Sequence, residues 1–243
     1  MASRIFKDKG LVLRTKVIGE ADRLVTLLTL ENGKIEAVAR GARKMKSKLA
    51  AGVDIFTSGE YTFHRGKTWP VITSQNPVER FLWFRDDPDL YPYGLYLSEL
   101  TDRLIFGEEP CPKPYQLLLS GWRLLGEGGD RALILRAFEL KLFDSLGYSP
   151  GLDYCQGCGS EQTKGFSPKE GNLICDRCRC ADFIALQSGT IALARRLLQS
   201  PLQQVGMIRP SARQKEELAR MNSNFIAYHL DLGELKSKRL LKE

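Results

Sequence analysis

The chain has 243 residues, 43% hydrophobic and 27% charged, which is enough for one large domain or two to three small ones with an ordinary core. No run of eighteen apolar residues occurs, and the opening MASRIFKDKG has no apolar leader core, so neither a membrane span nor a secretory signal is predicted and a cytoplasmic protein is expected. The net charge is +7 and unevenly placed: residues 1–80 hold 15 Lys and Arg against 8 Asp and Glu, and the rest hold 21 of each. That asymmetry is what one module meeting a polyanion would show.

The first third alternates as strands do. Leu11, Leu13 and Thr15, then Leu24 to Leu30, then Ile35, Ala37 and Ala39 form three short runs. Gly19 to Asp22 separates the first pair and Glu31-Asn32-Gly33 the second, Asn-Gly being a strong hairpin signal. A fourth run, Ile55 to Phe63, turns at Arg65-Gly66-Lys67 into a fifth, Trp69 to Thr73. Five short strands in 1–80 predict a small closed or nearly closed barrel, the strand count of an OB-fold.

The pattern changes after Asn76-Pro77. Helical spacing appears over Leu90 to Phe106, over Tyr115 to Leu125 opened by Pro114, and over Arg131 to Leu146 with Asp130 as N-cap. Two more helices are predicted over Ser188 to Gln199 and Ser211 to Leu230, and the charged end from Glu234 is expected to fray. The expected class is α+β. Residues 1–80 form the barrel, 81–150 and 183–243 a helical domain in two parts, and 151–182 a cysteine insert.

That insert holds Cys155-Gln-Gly-Cys158 and Cys175-Asp-Arg-Cys178, two CxxC pairs sixteen residues apart with a hairpin between them. Two tight turns each offering two thiolates suit tetrahedral Zn²⁺, and four committed sulfurs leave no open position, so the zinc would be structural. Disulfides and a redox CxxC are the competing readings, disfavoured by a reducing compartment and by the paired spacing. Cys180 could replace Cys178 as fourth ligand, and Cys111 reads as an ordinary residue.

Arg40-Gly-Ala-Arg43-Lys44-Met-Lys46-Ser-Lys48 carries five cations and no acid, as a row of phosphates would require. Arg14, Lys16, Arg23, Lys34, Arg65 and Lys67 fall in the same module and complete the candidate nucleic-acid-binding set. Phe56, Tyr61, Phe63 and Trp69 are candidate platforms for stacked bases. Tyr61 and Phe63 share parity and could equally face the core, so the pattern leaves open which of the four is exposed. His64 and His229 sit in no triad or metal motif, no phosphate-binding glycine loop occurs, and Asp86-Asp87 and Glu108-Glu109 lack a third acidic partner. The sequence reads as a binding protein, not an enzyme. An RNA-binding zinc-ribbon protein of translation or transcription suits the composition as an alternative, and a metal-dependent hydrolase would need an open zinc position.

In succession, Gly10-Leu-Val-Leu-Arg14, Gly19-Glu-Ala-Asp22, Thr26-Leu-Leu-Thr29 and Ala39-Arg-Gly-Ala-Arg-Lys44 with Ser47-Lys48 resemble the opening of the bacterial RecO recombination mediators. Tyr96-Leu-Ser-Glu99-Leu is similar to that family's first long helix. Arg136-Ala-Phe-Glu-Leu-Lys-Leu142 with Leu146-Gly-Tyr148-Ser-Pro150, leading into the first CxxC, is the most specific match. The resemblance runs from about residue 4 to 180. It implies an OB-fold, a helical domain and a zinc-finger insert. It also implies binding of single- and double-stranded DNA, annealing of complementary strands, and help in loading RecA onto strands coated by single-strand-binding protein (SSB). The implied partners are RecR and the acidic C-terminal tail of SSB, the implied location is beside the nucleoid, and a spot on the Arg131–Lys141 helix could take that tail. Cys180 departs from the family's pattern.

Overall fold

The computed structural model describes residues 4–230 and 235–241. It is an α+β protein whose contacts gather into two units, one running to Gly126 and regaining the chain at Leu235, the other made of what lies between.

The first unit is built on a five-stranded sheet: β1 (Ile5–Ile18), β2 (Asp22–Thr29), β3 (Lys34–Ala39), β4 (Thr57–His64) and β5 (Val71–Arg80). β1 is long enough to serve two neighbours, pairing with β4 over Ile5 to Leu11 and with β2 from Gly10 onward. A bulge between Val12 and Arg14 breaks the alternation there, so Leu11, Val12 and Leu13 are all buried. The order is β1-β2-β3-β5-β4, and β3 meets β5 through the single parallel bridge Val38↔Val71.

The β2–β3 turn falls where Asn32-Gly33 predicts it, with Gly33 at φ 59°. The Asp8 carboxylate pins that turn, accepting from the backbone N–H groups of Glu31 and Asn32 and from Asn32 Nδ2. β5 corrects the sequence reading, because it continues through Asn76-Pro77 to Arg80 instead of ending near Thr73. Pro77 lies beside the register shift at Ser58/Gly59, where its missing N–H disturbs the ladder least. The sheet encloses Val12, Val25, Leu27, Ile35, Tyr61 and Phe63 among others, and Tyr61 Oη donates to Gly52 O at 2.6 Å.

Three helices follow in the same unit: α1 (Trp83–Asp86), α2 (Tyr91–Leu104) and α3 (Pro112–Gly126). α3 starts earlier than predicted, with both Pro112 and Pro114 in a first turn that needs no N–H. Phe56 knits the helices together. Its ring lies 4.5 Å from Phe84 and 5.6 Å from Trp122, and its backbone takes the left-handed φ of 61°, a strained state held by that packing. The end of the chain does not fray throughout: Lys236–Leu240 forms a 3-10 turn, Leu235 and Ser237 are buried, and Glu99 accepts from the N–H groups of Lys236 and Ser237.

In the second unit α4 (Arg131–Ser145) is capped by Asp130, whose carboxylate accepts from Leu133 N at 3.1 Å. Ten of its fifteen residues are buried, so it is the core helix that α5 (Ser188–Gln199) and α6 (Ala212–His229) cover. Ser211 and Gln214 close α6 with a reciprocal capping box. Between α4 and α5 lies the cysteine insert, with β6 (Gly165–Ser167), β7 (Asn172–Ile174) and β8 (Ile184–Ala185) in the order β7-β6-β8.

Three buried charged side chains, Arg136, Glu139 and Glu217, hold this unit. Arg136 Nη1 grips both oxygens of Glu139 at 2.8 and 3.0 Å, and Asn222 Nδ2 from α6 donates to Glu139 at 2.8 Å. Removing one partner strands a buried charge, so Arg136→Met should cost about 3–5 kcal/mol in urea unfolding, with much of it recovered when Glu139→Leu is added. Glu217 of α6 caps α5, accepting from Gln187 N at 2.8 Å and Thr190 Oγ1 at 2.6 Å. Burial opposes its ionisation, but these donors and Arg213 outweigh burial and hold its pKa below 4.5. Its contribution is therefore present above the unfolded value and lost as pH falls through the folded one. Glu217→Gln should flatten the loss of thermal stability on acidification below about pH 5.

Candidate nucleic-acid interface and metal centre

The cations predicted from sequence fall into three groups. Arg40, at the point where β3 leaves the sheet, shares an open groove with Arg65 and Lys67 from the β4–β5 hairpin tip. Arg4, which no periodicity singled out, completes it beside His64, and no carboxylate lies in its lining. Arg65 N donates to Arg4 O at 2.8 Å, and the Arg65 guanidinium lies over the Phe6 ring at 5.2 Å. Cations unopposed at this range reinforce one another's potential, which is what an anion-binding surface requires.

A second group, Arg43, Lys44, Lys46 and Lys48, stands exposed on the loop after β3. Lys16 is exposed on β1.

The third group is committed internally. Arg14 bridges Glu36 and Asp102, each at 2.8 Å. Lys34 reaches the same Asp102 at 3.1 Å and lies over Phe106. Arg23 pairs with Asp54, which also holds Arg85 at 2.9 Å. Burial works against the Asp54 charge, yet the two guanidinium groups outweigh it and lower its pKa. A carboxylate already answers each of these three cations, so they add little to an external anion's attraction.

Of the four aromatic candidates, Phe56, Tyr61 and Phe63 are buried in the core. Trp69 is 41% exposed at the tip of the hairpin that carries Arg65 and Lys67. His229 has a packing role, with Nε2 2.7 Å from Pro168 O and its ring 4.5 Å from Phe225.

In the insert, the Sγ atoms of Cys155, Cys158, Cys175 and Cys178 all lie within 4.8 Å of one another, with Cys158 and Cys175 at 3.6 Å. Sulfurs about 2.3 Å from a tetrahedral ion would stand about 3.8 Å apart, so the donor set fits one metal. Cys180 is outside the cluster, which leaves Cys178 as its fourth sulfur. Burial raises the Cys155 thiol, but the N–H groups of Cys175 and Gly157 outweigh it and bring it to about 6. Hydrogen bonds shared with Cys158 and Cys175 push Cys178 up to about 12. The Cys155 thiolate is thus favoured at neutral pH, and metal binding would displace the proton held at Cys178.

Two family profiles cover nearly the whole chain: "Recombination protein O N terminal" matches residues 1–81 and "Recombination protein O C terminal" matches 85–239. The chain belongs to the RecO family. The DNA repair protein RecO of Symbiobacterium thermophilum is 35% identical over 98% of this chain and 96% of its own length. That of Roseiflexus sp. is 35% identical over 95% and 83%, and that of Heliobacterium modesticaldum 37% over 85% and 78%. The N-terminal profile ends one residue past β5, so the basic groove falls within one family profile and the cysteine cluster within the other. Among the described residues no helix is long and apolar enough to cross a membrane.

The cysteine geometry makes a direct prediction. Titration with Co²⁺ should saturate at one ion per chain with thiolate charge-transfer absorption; Cys178→Ser should weaken binding, and Cys180→Ser should leave it unchanged.

Proposed function

We propose that this RecO-family protein is a non-catalytic recombination mediator that grips DNA on the basic face of its 1–80 module. The observation that carries this reading is the groove of Arg4, Arg40, Arg65 and Lys67, free of carboxylates and bordered in sequence by the exposed Arg43–Lys48 row. Phosphate charge is neutralised there without base-edge contacts, which suits single- and double-stranded DNA of any sequence. Trp69 adds a flat surface for an unpaired base. With repulsion between backbones screened, two complementary strands can be held while they pair, and RecA can be assisted onto SSB-coated strands.

RecR and the SSB tail are the proposed protein partners. Support for the tail is a groove between α4 and α6 lined by Ala132, Leu133, Leu218 and Ala219, with Arg136, Lys215 and Glu216 at its edge. Its apolar floor suits a peptide ending in apolar residues, while Arg136 and Lys215 beside it already pair with Glu139 and Asp130. The ion at Cys155, Cys158, Cys175 and Cys178 is proposed to be structural Zn²⁺, and the location cytoplasmic, beside the nucleoid. The RNA-binding zinc-ribbon reading is not favoured, because both parts of the chain match RecO. Four thiolates on one ion also leave a hydrolase no position for substrate.

Reversing Arg40, Arg65 and Lys67 to Glu should weaken single-strand binding and flatten the slope of log affinity against log salt by about 2. Reversing Arg43, Lys44 and Lys46 should do the same, while Arg14→Gln should change little because Glu36 and Asp102 already neutralise Arg14. Fluorescence anisotropy across a salt series, with annealing of bare and SSB-coated strands in parallel, checks this; unchanged affinity in both triple variants would overturn it.

A further inference from the structure

The row of cations after β3 is not a loose solvated strand. Ala42 is buried in the sheet's core and Leu49 packs against the same core. Gly41 N donates to the Asp22 carboxylate at 2.7 Å, and Arg43 donates from its N to Ala21 O at 2.9 Å and from its guanidinium to Glu20 O at 2.8 Å. Two tight turns, Lys44 N to Gly41 O and Ser47 N to Lys44 O, shape the tip, and Gln75 Nε2 holds Lys48 O at 2.9 Å.

At the apex, midway between buried Ala42 and half-buried Leu49, stands Met45, fully exposed, with exposed Lys44 and Lys46 on either side. With the turn's backbone held at both ends, the Met45 side chain stands fully exposed, and its apolar surface stays in water until a ligand covers it. Phosphates drawn by the flanking lysines offer nothing to a thioether. Bases do, through their flat apolar faces, and apolar wedges set among cations enter stacks in this way.

We propose that Met45 is a wedge that packs against or between the bases of a strand held by Lys44 and Lys46. This rests on the nucleic-acid reading above and adds what charge alone does not supply, a preference for unpaired bases. A duplex must be unstacked before the side chain can enter, whereas a single strand already offers open base faces.

The test uses the full chain with a short single strand carrying a fluorescent base analogue, and with the matching duplex. Met45→Ala should lower single-strand affinity about tenfold and abolish the emission change of the analogue. Its salt slope and its duplex affinity should match the unsubstituted protein, and Met45→Leu should retain both affinity and emission change. Single-strand affinity and emission unchanged in Met45→Ala would overturn the wedge while leaving the DNA reading intact. Equal losses on both ligands with a flattened slope would also overturn it, since that is the signature of a disturbed basic loop. An unsubstituted protein that binds neither ligand would sink the DNA reading and the wedge together.

Discussion

β1 divides its fourteen residues between two neighbours, and the first unit follows from that division. One half lies along β4 and the other along β2, with a bulge at Val12 and Arg14 turning the strand between them. Without a strand of that length, β2–β3 and β4–β5 would be separate hairpins, each with an unpaired edge. Because β1 joins them, the β3 end carrying Arg40 meets the start of β5, and the hairpin tip between β4 and β5 supplies Arg65 and Lys67 to the same groove. That shared basic groove is a consequence of how the sheet is wrapped.

Charge in this unit is sorted by its neighbours. Asp102 answers both Arg14 and Lys34, and Asp54 answers Arg23 and Arg85, so these cations act as struts between strands and helices of one unit. Partly exposed pairs of this kind add only modest stability, but they remove their charges from the external field. The cations of the groove and of the pinned loop, with Lys16 on β1, have no such carboxylate among the described residues, and most of the module's surplus is felt at the groove and loop. Net charge locates a polyanion partner on a domain; ion pairing decides which face of that domain meets it.

The second unit holds its shape by other means. α4 is wrapped in apolar contacts except where Arg136 and Glu139 pair and Asn222 Nδ2 donates to Glu139. The cysteine insert is too small for a core of its own, with Cys155, Ile174 and Cys175 as its buried centre, and four sulfurs drawn to one point supply the organising constraint. The two RecO family profiles together cover both units, and they meet near residue 83, inside the first unit, where the sheet gives way to helices.

Local chemistry was legible in the residues themselves. Asn32-Gly33 marked a turn, Asp130 and Ser211 marked helix starts, and the CxxC spacing marked the sulfur cluster, because each feature depends on neighbours a few positions away. The sheet content, the helical remainder and the basic N-terminal bias also lay in the sequence alone. Tertiary structure decided what depends on residues far apart. It buried Phe56, Tyr61 and Phe63 but left Trp69 exposed, carried β5 past Pro77, and returned Ser237 to Glu99. It also gathered Cys178 and not Cys180 among the clustered sulfurs, added Arg4 to the groove and withdrew Arg14, Arg23 and Lys34 into ion pairs. A residue's type states what it can bind, and only the folded neighbourhood states whether something has already bound it.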